Sequence, residues 1–197
     1  LTPDANGVYP SLGDAVRQTK NITYTNFGDI INNRKFTLLG DPAVRIAFPQ
    51  MKTKTTLINN QTPGTDTLKA LNKYTIKGEV TDRNGLKLSF FNGNVYPVIY
   101  DKEQTVRTLA NDPGSLPVNI QTQNNVVFKG KAKVINGEFT YTFVVPKDIN
   151  YQFGNGKISY YAENGVLDAN GVESAITVGG ASDNPLIDKR GPDVRGF

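Results

Sequence analysis

Two stretches of this sequence have the residue types and spacing of a cation loop: Asp82-Arg83-Asn84-Gly85 and Asp168-Ala169-Asn170-Gly171. Oxygen-rich side chains at alternate positions before a glycine open a calcium site. Neither is followed by the bidentate glutamate such a loop needs, so Asx-rich turns account for both. Asp41 is a candidate acid, but it lies between Gly40 and Pro42. There its carboxylate is expected to accept nearby backbone N–H groups and shape a turn. The chain has no His and no Cys. Thiol nucleophiles, thiolate metal sites and the usual neutral-pH general base are therefore absent from it. Ser-Lys or paired-carboxylate hydrolysis is the chemistry left to an independent enzyme. The aromatic doublets Phe90-Phe91 and Tyr160-Tyr161 offer another chemistry. In a strand one ring of each points outward and can stack on a sugar or another protein. Phe91, Tyr160 and Tyr161 are the candidate interaction aromatics.

The elements that must position these residues change character near residue 50. Ser11 is a good N-cap for a short helix through about residue 21, with Asp14 in its first turn and Leu12, Ala15, Val16 and Thr19 on one face. Phe36 to Leu39 reads as a short strand. Gly40-Asp41-Pro42 turns the chain, and Val44, Ile46 and Phe48 alternate as a second strand. So few elements cannot bury a core of their own, and this piece is expected to pack on something larger.

From residue 51 a period of two dominates, and Asn-Gly pairs recur at 84–85, 92–93, 136–137, 155–156, 164–165 and 170–171. Each is a turn signal. Strands are expected at 74–80, 94–100, 157–163 and 172–178, with Pro97 marking an edge strand or a bulge. Around Asn136-Gly137 a two-residue turn pairs Ile135 with Glu138 and Val134 with Phe139. Continued outward, it pairs Lys133 with Thr140, Ala132 with Tyr141, Lys131 with Thr142, Gly130 with Phe143 and Phe128 with Val145. Aromatics then face the core and Lys129, Lys131 and Lys133 line the water side. The stretch 110–125 is a long connection with a short strand near Val118 to Ile120. The expected fold is mainly β: an immunoglobulin-like antiparallel β-sandwich over 51–180, preceded by a short helix/strand segment over 1–50 and followed by the start of another module over 181–197.

Of 197 residues, 38% are hydrophobic and 20% charged, and the net charge is +4. Residues 76–180 carry ten basic and ten acidic groups. The excess comes largely from Lys52, Lys54, Lys69 and Lys73. A neutral body argues against a nucleic-acid footprint. No apolar run reaches the roughly 20 residues that span a bilayer, so no direct membrane insertion is expected. Leu rather than Met at position 1 is expected of a processed or excised chain, with any targeting segment upstream.

The segment NNRKFTLLGDPAVRIAFPQ resembles the closing segment of gingipain-type cysteine peptidase domains, which have a caspase-like α/β fold, and SLGDAVRQTKN resembles their last helix. DTLKALNKYTIKGEVTDRNG, FFNGNVYPVIYDKEQTVRTLAND, VFKGKAKVINGEFTYTFVVPKDINYQFGNGKISYYAENGVLDANG and DKRGPDV resemble the PorU-like sortases of the type IX secretion system of Bacteroidetes. The resemblance implies that residues 1–50 are the remnant of a caspase-like domain. It implies a parent that removes C-terminal sorting signals from secreted cargo at the outer membrane and helps attach the cargo to a surface lipopolysaccharide. It also implies that Gly40, Asp41 and Pro42 are the family's structural turn, and that the catalytic His and Cys lie upstream. This chain would then be a non-catalytic docking segment without cofactors, located in the cell envelope, at the outer-membrane surface or in the periplasm. Its partners would be the upstream peptidase domain, secretion-system proteins and cargo C-terminal domains. The alternative is a protein- or carbohydrate-binding β-sandwich module.

Overall fold

The computed structural model describes residues 3–4 and 8–186. The chain divides into two units, Leu1–Pro49 and Gln50–Phe197. Most of the module expected over 181–197, and the Asn6-Gly7 pair, lie outside the described residues.

In the first unit, α1 spans Leu12–Phe27 and α2 spans Ile30–Lys35. Ser11 caps α1 as its residue type predicts: its hydroxyl accepts from the Asp14 N–H. The helix runs six residues past the expected end and stops at Gly28, whose left-handed backbone (φ 62°) closes it. The two strands expected at 36–39 and 44–48 do not form. That region contributes one isolated bridge, Ser11 to Arg45. Neither helix buries a residue.

The second unit carries the core. Its strands are β1 (Met51–Ile58), β2 (Thr67–Ala70), β3 (Lys73–Thr81), β4 (Gly93–Tyr100), β5 (Gln104–Arg107), β6 (Asn119–Thr122), β7 (Val126–Lys129), β8 (Ala132–Ile135), β9 (Glu138–Val144), β10 (Gly154–Glu163) and β11 (Asp168–Ala181). Nine of them form one sheet in the order β1-β3-β9-β8-β4-β10-β11-β2, with β7 paired to β4. Parallel pairing of Met51 with Ala169 and Lys52 with Asn170 joins β1 to β11 and closes the sheet into a barrel-like form. The sequence reading expects two separate antiparallel sheets. Here the layers are hydrogen-bonded into one, through β8 and through the β1–β11 pairing. β2 also pairs with β11 in parallel. β5 and β6 make a separate two-stranded arm.

Alternation sets the inside. Tyr74, Ile76 and Val80 of β3, Val95 and Ile99 of β4, Phe139, Tyr141 and Phe143 of β9 and Ile158, Tyr160 and Ala162 of β10 are all buried. Asn136-Gly137 is a two-residue turn with both φ positive (52° and 76°), as expected. Its ladder stops after Ile135↔Glu138 and Val134↔Phe139. The outer pairs do not form, because β8 and β7 follow β4 (Val95↔Ala132, Val98↔Lys129) while β9 follows β3 (Ile76↔Tyr141, Tyr74↔Phe143). The faces are nevertheless those expected: aromatics in, lysines out.

Pro97 lies inside the sheet, opposite the break between β7 and β8. Its carbonyl accepts from the Gly130 N–H, so its missing N–H points toward that same interruption. This is the bulge-like solution rather than the edge one. The Asn-Gly pairs divide into two groups. Those at 84–85, 136–137 and 164–165 turn the chain. Those at 155–156 and 170–171 lie within β10 and β11, and Gly93 begins β4. At Gly171 a Cβ would meet the Thr53 carbonyl of the crossing strand β1, so the glycine serves close packing instead of a turn.

Candidate functional site: the outer face of β4 and β10

Alternation in β4 and β10 turns Asn94, Tyr96, Val98 and Tyr100, and Lys157, Ser159, Tyr161 and Glu163, to the outside. Register pairs them across the face as Asn94↔Glu163, Tyr96↔Tyr161, Val98↔Ser159 and Tyr100↔Lys157. The Tyr96 and Tyr161 rings stack with centroids 6.2 Å apart and planes at 30°. Lys131 places its amine 5.3 Å from the Tyr96 ring centroid, and Lys157 lies 4.8 Å from that of Tyr100, both within cation–π range. Glu163 accepts from the Asn94 amide (2.9 Å) and the Tyr96 hydroxyl (3.2 Å). The Asn94 hydrogen bond, helped by that of Tyr96 against partial desolvation, holds the Glu163 carboxyl below its ordinary range. The face is therefore a small aromatic platform bordered by lysines and one ionised carboxylate. Such a surface can stack on a ring or a peptide plane and pair with charge beside it.

Of the three candidate aromatics, only Tyr161 is on this surface, 44% exposed. Phe91 is fully buried: its doublet sits in a turn, where the Phe91 N–H donates to the Leu88 carbonyl and Phe90 takes the outward position. Tyr160 is the inward member of its doublet. Its hydroxyl meets the Thr55 hydroxyl at 2.6 Å and that of Tyr141 at 3.3 Å. Both are core residues, which corrects their reading as interaction aromatics. The sequence reading missed Tyr96, although the alternation of NVYPVIY carries the signal for it.

At one end of the unit, Lys102, Glu103, Gln123, Gly154, Asn155 and Ser174 help line a groove of about 570 Å³. It brings a serine and a lysine to one place. Lys102, however, donates to the Asp101 carboxylate at 2.6 Å and to the Asn150 carbonyl at 2.7 Å. Its ammonium is committed to structure, and the second lysine of the groove, Lys157, lies over the Tyr100 ring. Asp101, with no exposure, also accepts from the N–H groups of Lys102 and Asn150. Among the described residues no group of three or more His, Cys, Asp or Glu side chains could hold a metal ion. Asp82 accepts from the Asn84 and Leu86 N–H groups, and Asp168 pairs with Glu163 in the ladder between β10 and β11. Asp82 thus shapes a turn, and Asp168 lies in a strand ladder. No helix among the described residues is long and apolar enough to cross a membrane.

In the first unit, Asp41 accepts from the Ala43 N–H at 2.8 Å, and Gly40 has φ 129°. The residues this turn presents then close α1. The Pro42 carbonyl accepts from Gly13 N–H (2.9 Å) and the Val44 carbonyl from Leu12 N–H (2.8 Å). With Ser11 serving Asp14, the first three N–H groups of the helix are all satisfied. Gly13 has no room for a side chain against Pro42.

No protein-family model and no curated protein sequence matches the chain. Among solved structures, it is similar to dimeric latent PorU from Porphyromonas gingivalis: 33% identity, TM-score 0.58, covering 90% of this chain and 17% of that one. Its likeness to Spo0M, a sporulation control protein from Bacillus subtilis, is weak and carries no argument (12% identity, TM-score 0.39, 67% of this chain and 50% of that one). The chain spans less than a fifth of the PorU chain it matches. In sequence and in fold, it is related to one segment of a PorU-like protein.

Proposed function

We propose that this chain is a non-catalytic docking segment of a PorU-like, gingipain-type sortase of the type IX secretion system, acting at the outer-membrane surface or in the periplasm. In this reading residues 1–50 close a caspase-like peptidase domain. Residues 51–180 are an immunoglobulin-like domain that sets the position of the peptidase relative to secretion-system proteins and cargo, and residues 181–197 lead to a further module. The observation that carries the reading is the 33% identity to PorU over 90% of this chain. The first unit supports it. Its helices bury nothing, and Ile22, Tyr24, Phe27, Ile31, Phe36 and Leu39 are all exposed, as in an element cut from a larger core. The strand connections support the finer fold: β1-β3-β9 in one layer and β4-β10-β11 in the other follow the A-B-E and C-F-G pattern of immunoglobulin domains.

Deleting residues 76–180 from the parent should leave sorting signals uncleaved on cargo while removing no catalytic group. Normal processing after that deletion would sink the docking role. Coding DNA upstream of Leu1 that lacks a caspase-like domain with His and Cys would sink the family reading itself. A second reading, a protein- or carbohydrate-binding module, is favoured by the Tyr161–Tyr96–Lys131 cluster. Titration with surface polysaccharide or cargo C-terminal domains separates the two: saturable binding lost in Tyr161→Ala supports the module.

A further inference from the structure

Where the ladder between β8 and β9 ends, two strand edges have no ladder partner among the described residues of the second unit. Ile135 and Glu138 are the hydrogen-bonded pair that closes the two-residue turn. By alternation Thr142 and Val144 direct their backbone groups away from β3, toward a side where the ladder supplies no partner. Gly130 gives its N–H to Pro97 of β4. Its neighbours Lys129 and Lys131 therefore direct theirs away from β4, on the facing edge. Along that edge Lys129 and Lys131 are exposed at alternate positions, roughly 6.7 Å apart by strand geometry, and Lys133 continues the row on β8 where β8 still pairs with β9. None of the three forms a salt bridge among the described residues.

We propose that this open edge accepts an extended acidic polypeptide segment as an added strand. Backbone ladder bonds would supply the affinity, and carboxylates at alternate positions would meet the three lysines. The charge selects the occupant. A second copy of the same edge would bring like charges face to face, which edge lysines serve to prevent. A strand of opposite sign gains what a like strand loses. The balanced charge of residues 76–180 gives no wider basic field of the kind a nucleic acid needs. The inference stands on pairing and charge in the second unit, and it is independent of the family reading.

The test is to titrate the full 197-residue chain with the synthetic peptide Ac-(Glu-Thr)4-NH2 while following backbone amides by NMR. Shifts should concentrate at residues 129–133 and 140–144, and binding should weaken about ten-fold between low and moderate salt. The exposed triple reversal Lys129→Glu, Lys131→Glu and Lys133→Glu should lose this peptide and gain Ac-(Lys-Thr)4-NH2. A peptide N-methylated at alternate backbone nitrogens keeps the charge and loses the ladder donors, so it should fail to bind. Equal binding of the methylated peptide would overturn strand addition. Shifts elsewhere, no shifts at millimolar peptide, or binding of heparin at these lysines with none of the acidic peptide would overturn the proposal.

Discussion

Tyr160 shows how far alternation alone could be read. Its doublet says that one ring points in and one out, but not which. Only the register with β4, where Tyr161 meets Tyr96 and Tyr160 meets Pro97, decides it. A chain 105 residues apart in Thr55 then satisfies the Tyr160 hydroxyl. Burial pushes the Tyr160 phenol up to about 12, against the hydrogen bonds from Thr55 and Tyr141, and burial also raises that of Tyr141. The unfolded chain loses these protons near the ordinary value of about 10. Between pH about 10 and about 12 the folded state binds more protons than the unfolded state, so stability present below pH about 10 is lost as pH rises through that window. Melting temperature measured from pH 8 to 11.5 should fall steeply above pH 10, and the double variant Tyr141→Phe and Tyr160→Phe should flatten the slope. An equal slope in that variant would mean other groups carry the loss. Asp101 is a second matter at this scale. Asp101 and Lys102, adjacent in the chain and opposite in charge, are buried together. Asp101→Asn leaves the Lys102 ammonium buried without its counter-charge and should cost about 3–5 kcal/mol in urea unfolding. A loss below about 1 kcal/mol would show that water reaches the amine.

Among the elements, the hairpin at Asn136-Gly137 was legible because turn chemistry and face polarity agree. What could not be read was where β8 leaves β9, since that depends on the competing pull of β4, 40 residues earlier in the chain. The strands expected at 36–39 and 44–48 failed for a related reason. Val44, Ile46 and Phe48 do alternate, but the described residues offer no neighbouring strand to complete a ladder, and the carbonyls of Pro42 and Val44 go to the start of α1 instead. At the turn itself, Asp between Gly and Pro has a local use for its carboxylate, which accepts from the Ala43 N–H. Asp41→Ala should therefore loosen the start of α1 by about 1 kcal/mol. Faster amide exchange at Leu12 and Gly13 in the variant is the expected reading, and unchanged exchange would separate the turn from the helix cap.

At the scale of the whole molecule, the β class of the second unit was legible from its period of two, whereas its closure was not. Two pairs between β1 and β11, in parallel, join strands whose sequence says nothing of each other. The aromatic platform was half legible: Tyr161 from its doublet, Tyr96 only once β10 was laid beside β4. The β1–β11 closure also has a mechanical side. β1 enters at Met51 and β11 leaves at Ala181, and the two run in the same direction where they pair. Tension applied between those ends loads the ladder bonds together, in shear, rather than peeling them one at a time. Pulling the second unit by residues 51 and 181 in an optical trap should give one abrupt rupture. Gradual extension at low force would show that the ends peel apart. Held in line between two neighbours, the domain would transmit a pull from one to the other with little stretch of its own.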